Sequence, residues 1–473
     1  MKILYVASEA RPFVKTGGLG DVMGALPKTV ASMKNDCRVI IPLYEEIPQE
    51  YRQTMRFVGS TVDLSWRRQY LGVFEYTVDN VVYYFIDNEY YFKRKGLYGH
   101  FDDGERFAFF SKAVLEACSV TGFYPDVIHA NDWHTALVPV FLDIFYRNVE
   151  GLRNTKTVFT IHNIEFQGKY DKYLAGDILG IPENWRSIVE CDNDVNYMKA
   201  GIERANIVTT VSKTYAEEIK DPYYAYGLAG ILNARDYKIR GVVNGIDVDV
   251  FNPATDKNLV ANYTLKTVAK RAENKKALCE LMGFNYSPDR PLMVLISRLT
   301  EQKGIDLVAT VLDEMLQADI QLVVLGKGDW KYETILKNAE KTYNTKMRAI
   351  INFSQELASK LYGAADMFLM PSKFEPCGLG QMIAMRYGAV PIVRETGGLK
   401  DTVEAFNPVT QKGNGFTFKA YQAYDMLDAV WRTLGTYFDK NLWKKVQSNA
   451  MKCDFSWKRS AKEYLDIYKE ITK

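Results

Sequence analysis

Short apolar runs recur along this chain, and many of them are followed by a segment with helical periodicity. In the first half they lie at 2–7, 39–43, 126–130, 157–161 and 207–211. In the second half they lie at 291–296, 321–325, 349–353, 367–370 and 389–393. Strands buried on both faces read as continuous apolar runs of this kind. The pattern predicts an α/β protein with two doubly wound, Rossmann-like halves.

A turn-forming sequence predicts the boundary between the two domains. A chain of 473 residues favours two large domains. An Asn-Gly turn at 244–245 follows a short strand, so we expect domains at 1–243 and 244–455. Residues 456–473 have the periodicity of an amphipathic helix, which we expect to cross back to the first domain. Runs at 74–78 and 81–86 predict antiparallel strands beside the main sheet, and the Lys-rich stretch 255–285 has a helical pattern.

Composition narrows the classes of partner. Charged residues make up 25% and the net charge is +2, which gives no reason to expect nucleic acid. No apolar run reaches the ~18 residues of a membrane span. Six scattered cysteines are typical of reduced thiols, so we expect a cytoplasmic protein without a membrane partner. The four histidines have no metal-ligand spacing, and we expect no metal site.

A glycine-rich loop with one lysine separates the first strand from the first helical segment. It reads Lys-Thr-Gly-Gly-Leu-Gly-Asp over residues 15–21. Glycines let a ligand approach the backbone, and free amides at a helix N-terminus favour anions. The loop is neither the G-x-G-x-x-G fingerprint nor a P-loop, and taken alone it is as well explained by plain turn geometry.

Polar residues follow two later strands of the first half. Asn-Asp-Trp-His occupies 131–134, and His-Asn occupies 162–163. Ligands bind at the carboxyl ends of the strands in open parallel sheets. The three loops are therefore expected at one ligand-binding edge.

The second half carries cations and a carboxylate after its strands. Arg298 and Lys303 follow the run at 291–296 and suit a diphosphate, although a solvated charged loop has the same pattern. Glu375 leads into a helix predicted over 378–385, whose first amides can hold a sugar or a phosphate.

Seven segments, taken in order, resemble the bacterial glycogen synthase and plant starch synthase family. They are K-T-G-G-L-G-D at 15–21, H-A-N-D-W-H at 129–134, I-H-N at 161–163, N-G-I-D at 244–247, S-R-L at 297–299 with Q-K-G at 302–304, E-P-C-G-L at 375–379, and T-G-G-L at 396–399 with D-T-V at 401–403. The resemblance implies a retaining glucosyltransferase of the glycosyltransferase-B fold, with two Rossmann-like domains facing a central cleft. It implies an acceptor side in the first domain and a nucleotide-sugar site in the second.

The implied reaction transfers glucose from ADP-glucose to the non-reducing 4-OH of an α-1,4-glucan. The acceptor would be a maltooligosaccharide, glycogen or a starch-like glucan, with ADP-glucose as co-substrate and no further cofactor. Two alternatives stay open: the same fold with UDP-glucose or another acceptor, and a catalytically silent glucan-binding paralogue. A dehydrogenase is excluded because neither half carries G-x-G-x-x-G.

The resemblance also implies roles for individual residues. The catalytic set is Lys15, His162, Arg298, Lys303 and Glu375. The substrate-binding set is Glu9, Gly17, Gly18, Asp21, Asp132, Asn163, Asn244, Cys377, Gly378, Leu379, Thr396, Gly397 and Gly398. Within these sets, Lys15, Arg298 and Lys303 are implied to bind the donor phosphates. His162 is implied to face the donor glucose, and Glu375 with residues 377–379 to hold its hydroxyls.

Three positions depart from the pattern. Gly380 stands where many relatives have Thr or Ile, and Ile383 stands where many related transferases carry a second Glu. Glu395 would be unfavourable beside a diphosphate unless it points away.

Overall fold

The computed structural model describes the backbone of residues 1–473 and the side chains outside 58–61. The chain divides into two compact units. Unit 1 contains Met1–Gly245 and Trp457–Lys473, and unit 2 contains Ile246–Ser456.

Unit 1 is built on a sheet of nine strands within the described chain, in the order β12-β11-β7-β6-β1-β2-β5-β4-β3. A separate small sheet has the order β8-β10-β9. The strands are β1 Lys2–Val6, β2 Asp36–Pro42, β3 Arg56–Leu64, β4 Arg67–Val78, β5 Val81–Asp87, β6 Val127–Asn131, β7 Lys156–Ile161, β8 Lys169–Asp171, β9 Glu190–Cys191, β10 Asp194–Asn196, β11 Ile207–Thr210 and β12 Ile239–Gly241. The helices are α1 Gly18–Ser32, α2 Gln49–Arg52, α3 Glu89–Phe92, α4 Asp103–Thr121, α5 Leu137–Phe141, α6 Leu174–Asp177, α7 Tyr197–Arg204, α8 Lys213–Glu218 and α9 Ala229–Ala234.

The strands of the large sheet from β12 to β5 are parallel, and β4 and β3 extend it antiparallel. The predicted antiparallel strands are confirmed, but they continue the main sheet because β5 pairs in parallel with β2. Strand order reverses at β1, between β2 and β6. The loops after β1 and β6 therefore lie where ligands bind in such sheets.

Unit 2 contains a parallel sheet of six strands in the described chain, in the order β15-β14-β13-β16-β17-β18. The strands are β13 Leu292–Ile296, β14 Gln321–Leu325, β15 Met347–Ile350, β16 Met367–Met370, β17 Val390–Arg394 and β18 Phe416–Phe418. The helices are α10 Arg271–Met282, α11 Ile305–Gln317, α12 Trp330–Thr342, α13 Gln355–Ala364, α14 Gly380–Arg386, α15 Gly397–Thr402, α16 Ala423–Phe438 and α17 Lys440–Lys452. This is the doubly wound strand order with its switch point between β13 and β16. Helix α11 shows why the unit folds: Val308, Val311 and Met315 share a buried face against the sheet.

The last helix, α18 (Trp457–Thr472), belongs to unit 1 and contacts α1. The predicted amphipathic helix is confirmed, and one face of it is buried through Trp457, Ala461, Tyr464, Leu465 and Tyr468. The Tyr468 hydroxyl lies 2.7 Å from His129 Nδ1 on β6, which joins the helix to the centre of the sheet. No helix in the described residues combines the length and the apolar character needed to cross a membrane.

Three predicted boundaries are wrong. The helix expected over 255–285 is confined to α10 and a 3₁₀ turn at Leu265–Lys270, because Asn262 and Asn274 side chains bond the preceding backbone and hold it as a loop. The strand expected at 349–353 ends at Ile350. Helix α14 begins at Gly380 rather than Gly378, because Gly378 has a left-handed φ of 72° and lies in the preceding loop.

Candidate active site

The glycine-rich loop of unit 1 is held in place by a buried carboxylate. Glu9 follows β1 and is 2% exposed. Its oxygens accept bonds from the Thr16 amide and hydroxyl, both at 2.6 Å, and from the amides of Gly17 at 3.2 Å and Gly20 at 2.9 Å. Glu9 thus accepts hydrogen bonds from amides just before and within the first turn of α1, which favours a negative charge there and fixes the conformation of the loop.

Lys15 projects from the outer side of the same loop. Its ammonium lies 2.5 Å from Asp21 Oδ2, and Arg11 bonds the other Asp21 oxygen at 3.0 Å. The Lys15 side chain is 34% exposed. An ammonium has three N–H donors, so Lys15 can keep Asp21 and still bind an incoming anion.

The two polar loops after β6 and β7 meet directly. The His162 amide donates to Asp132 Oδ1 at 2.8 Å, and the Asn163 amide also bonds this carboxylate. Asp132 has a left-handed φ of 58°, unusual for a residue with a side chain. Loss of hydration raises the pKa of Asp132 to about 7, although the two amide bonds oppose this shift.

Asn131 fixes the protonation of His162. The Asn131 amide nitrogen donates to the carbonyls of Val6 and His129, both at 3.1 Å, so its oxygen faces His162 Nε2 at 2.9 Å. Only a protonated Nε2 can donate to that oxygen, which leaves Nδ1 as an acceptor. Burial lowers the pKa of His162 to about 3, so the ring is neutral near pH 7.

His134, in the same motif as Asp132, has a packing role. Its ring stacks on Trp133 with centroids 4.0 Å apart and contacts Tyr98 and Phe107. Burial lowers the pKa of His134 to about 3.

An open pocket of about 530 Å³ lies in unit 1 beside Trp133. It is lined by Trp133, Glu165, Phe166, Gln167, Gly168, Lys169, Tyr170 and Tyr226. Phe166 is 55% exposed and Tyr226 is 40% exposed. Aromatic faces mixed with charged and amide groups give the pocket the chemistry of a carbohydrate site.

In unit 2 the central pair is Lys303 and Glu375. Lys303 Nζ lies 2.5 Å from Glu375 Oε2, and the Ser372 hydroxyl donates to the same oxygen at 3.0 Å. Their side chains are 14% and 8% exposed. Arg298, from the same loop as Lys303, is exposed and donates to Gln302 Oε1 at 3.0 Å.

Two backbone segments pack closely beside this pair: the EPCGL loop (residues 375–379) and the TGGL turn (residues 396–399). The Gly398 amide donates to the Glu375 carbonyl at 3.1 Å. A Cβ at Gly397, where φ is 43°, would lie 2.0 Å from the same carbonyl oxygen, so only glycine fits. Thr396 and Cys377 are buried beside them.

Two further residues considered in the sequence analysis, Glu395 and Asn244, lie in different units. Glu395 accepts a bond from the Thr417 hydroxyl on β18 at 2.8 Å, which gives this acid a partner in the neighbouring strand. Asn244, in unit 1, has a buried Oδ1 without a hydrogen-bond partner among the described residues. No cluster of three or more His, Cys, Asp or Glu side chains in the described residues is placed to hold a metal ion.

In unit 1 the structure brings Asp132, His162 and Asn163 together, and in unit 2 it brings Lys303 and Glu375 together beside the TGGL turn. Lys15 contacts Asp21, and Arg298 contacts Gln302. Sequence reasoning gave no role to Asn131, Ser372 or Gln381. Asn131 lies in the H-A-N-D-W-H motif, and its polar side chain at the end of a buried strand is the sequence signal for such a role.

Comparison with known proteins identifies the family. Residues 2–234 match the family model of the starch synthase catalytic domain, and residues 284–445 match that of glycosyl transferases group 1. Glycogen synthase of Clostridium acetobutylicum is 49% identical over 476 residues, spanning 100% of both chains. The chain belongs to the glycogen synthase family.

Two other members of the glycogen synthase and starch synthase group agree. Glycogen synthase of Anoxybacillus flavithermus is 47% identical over 474 residues, covering 100% of this chain and 98% of that protein. The catalytic domain of starch synthase IV from Arabidopsis thaliana, in a structure bound to ADP and acarbose, superposes with a TM-score of 0.91. The two sequences are 33% identical, and the match covers 100% of this chain and 99% of that one. The predicted family, the glycosyltransferase-B fold and the glycosyltransferase class are confirmed.

Proposed function

We propose that this chain elongates α-1,4-glucans by transferring glucose from ADP-glucose to the non-reducing 4-OH, with retention at the anomeric carbon. The observation that carries the proposal is the nearly buried Lys303–Glu375 pair next to the EPCGL loop, in a member of the glycogen synthase family. The starch synthase IV structure, which contains ADP and acarbose, supports a nucleotide and a glucan as ligands.

The proposed role of Lys303 is to stabilise the leaving diphosphate. Negative charge grows on this group as the glucosyl bond breaks, and a prepositioned cation in a poorly hydrated site stabilises it. One N–H of the ammonium bonds Glu375, and the other two stay available for phosphate oxygens. Arg298 adds a planar fork suited to phosphate, and its exposure leaves it free to turn toward one.

Glu375 would bind a glucose hydroxyl with its second oxygen. Lys303 and Ser372 both bond Oε2, which orients the carboxylate and leaves Oε1 as an acceptor. The backbone of residues 377–379 would complete the contacts to the sugar. The Cys377 thiol is buried, which favours packing over reactivity.

In unit 1 we propose that Lys15 binds a donor phosphate and that His162 accepts a bond from a glucose hydroxyl at Nδ1. The neutral ring with its proton on Nε2 supports the second role. Gly17 is bonded to Glu9, so Glu9 acts by holding the loop that carries Lys15. The pocket lined by Phe166 and Tyr226 is the proposed place for glucose units of the acceptor.

We further propose a cytoplasmic location, which the six free cysteines found in the described structure support.

The experiment is a nucleotide-release assay on the purified chain. ADP-glucose or UDP-glucose is supplied with maltooligosaccharide or glycogen, with EDTA throughout, and Lys303→Met is the matched control. We expect glucan-dependent ADP release that survives EDTA and falls in the control. Release from UDP-glucose alone would show that the enzyme uses UDP-glucose as its donor instead of ADP-glucose. No release from either donor, with the chain folded, would favour a silent glucan-binding protein.

A further inference from the structure

A single buried amide side chain joins the two backbone segments of the candidate donor site. Gln381 lies in the first turn of α14 and is 0% exposed. Its Nε2 lies 3.1 Å from the Cys377 carbonyl, 2.9 Å from the Gly378 carbonyl and 3.1 Å from the Thr402 hydroxyl. Thr402 in turn donates to the Gly398 carbonyl at 2.6 Å.

The orientation of this amide is fixed by its partners. The two carbonyls can only accept, so the group that faces them is the NH₂. The opposite atom, Oε1, is buried and has no hydrogen-bond partner among the described residues. It lies against Gly378, where an added Cβ would be 2.6 Å away.

The two bonded carbonyls determine the direction of two backbone amides. In a trans peptide the C=O and the following N–H point in opposite directions. Holding the carbonyls of Cys377 and Gly378 toward Gln381 therefore turns the amides of Gly378 and Leu379 away from it. Neither amide donates a hydrogen bond within the described residues. They are the free amides that the proposed function assigns to the glucose hydroxyls.

We propose that Gln381 is a positioning residue of the donor site, which aims the Gly378 and Leu379 amides at the glucose of the nucleotide sugar. This inference rests on the proposed function and adds to it the part of the ligand that the two amides contact, which is the glucose of the donor. Gln381 itself touches the EPCGL loop and Thr402, so it acts on the sugar only through the backbone. ADP without glucose does not need these amides.

The test compares Gln381→Met with Gln321→Met. Both replacements keep the side-chain length and remove a buried amide in unit 2. Gln321, also 0% exposed, bonds Asn285 and Cys279, away from both segments of the donor site. Titration calorimetry with ADP-glucose and with ADP, in the absence of acceptor, measures binding without turnover.

For Gln381→Met we expect ADP-glucose binding to weaken by about ten- to hundredfold, because two hydrogen bonds to the sugar are weakened. ADP binding and the KM for maltooligosaccharide should stay within about twofold, since neither ligand uses the two amides. Gln321→Met should leave all three constants unchanged. Equal weakening of ADP and ADP-glucose, or unchanged ADP-glucose binding, would overturn the inference.

Two additions keep the test decisive. If Gln381→Met does not fold, as judged by circular dichroism, Thr402→Val takes its place, because it removes one bond of Nε2 and the link to Gly398. The expected ADP-glucose effect is then about two- to fivefold, and an unchanged constant would contradict the role. Failure of the parent to release ADP would count against the proposed function alone, since the calorimetry needs no catalysis.

Discussion

The carboxylate beside the glycine-rich segment is used differently in the two units. In unit 1, Glu9 is bound by backbone amides, and Lys15 pairs instead with Asp21 at a partly exposed position. In unit 2, Glu375 is bound by Lys303 itself, and both are nearly buried. The carboxylate of unit 1 shapes a loop, whereas that of unit 2 holds a cation in place. We therefore expect replacement of Glu9 to act on loop stability and replacement of Lys303 to act on charge stabilisation.

Unit 1 also contains two site residues with shifted pKa values. Unit 1 holds Asp132, with a pKa raised by burial to about 7, and His162, with a pKa lowered by burial to about 3. In the unit 2 site, Lys303 and Glu375 form an ion pair, and Arg298 bonds Gln302. The raised pKa of Asp132 is expected to make the stability of the protein depend on pH near neutrality.

The largest expected effect is that of Lys303→Met. It should lower kcat by about 10²–10³, because one donor to the developing charge is lost from a poorly hydrated site. Steady-state kinetics with saturating ADP-glucose measures the change. Lys337→Met, which breaks an exposed pair with Glu340 in the same unit, is the control and should retain activity. A kcat for Lys303→Met within about twofold of the parent would show that Lys303 does not stabilise the developing charge. The proposed difference between the carboxylates of the two units would then not hold.

Glu9→Gln tests the loop-shaping role. The neutral amide can accept at one oxygen, but its NH₂ faces backbone donors, so the free energy of unfolding should fall by about 1–3 kcal/mol. Urea denaturation followed by circular dichroism measures it. Asp221→Asn removes an exposed carboxylate bonded to one amide and should change stability by less than about 0.5 kcal/mol. Equal effects of the two replacements would show that burial of Glu9 is irrelevant.

Asp132→Asn tests the origin of the pH dependence. The folded-state pKa lies above the unfolded value, so the folded protein binds more protons between pH ~4 and ~7, and the stability from Asp132 is lost as pH rises through this window. Asn keeps an oxygen for the His162 amide and does not titrate. The stability of the parent relative to this variant should fall from pH 5 to 7 and then level off.

Urea denaturation at pH 5, 6, 7 and 8 measures this difference, with the exposed Glu183→Gln as control. A parent-minus-variant difference that is flat over the range would contradict a raised pKa at Asp132. The lowered pKa values of His129, His134 and His162 act in the opposite direction below pH ~6.5, but these residues are common to both proteins and their contributions cancel.

The fold was largely predictable because parallel strands buried on both faces leave continuous apolar runs, such as Leu292–Ile296. The failures have a physical cause. The Lys-rich segment before α10 has helical composition, but no residue of 265–270 is buried, so packing does not stabilise a helix there. Propensity alone could not reveal this.

The site was predictable as a set of loops but not as a set of contacts. Motifs located Lys15, His162 and Glu375 at strand ends, since sequence order fixes which loops share an edge. They could not show that Asn131 sets the tautomer of His162, because this depends on the register of β6 and β7. Long-range side-chain pairs of this kind follow only from the folded geometry.

The smallest expected effect concerns the aromatic pocket of unit 1. Phe166→Ala should raise the KM for maltooligosaccharide by about three- to tenfold, which corresponds to one exposed ring contact, and leave the KM for ADP-glucose unchanged. Phe101→Ala removes an aromatic side chain that is 96% exposed and does not line the pocket, so it should change neither constant. A rise in the ADP-glucose KM with Phe166→Ala would assign the pocket to the donor. Unit 1 would then act on the nucleotide sugar through this pocket as well as through Lys15 and His162, and acceptor binding would no longer distinguish it from unit 2.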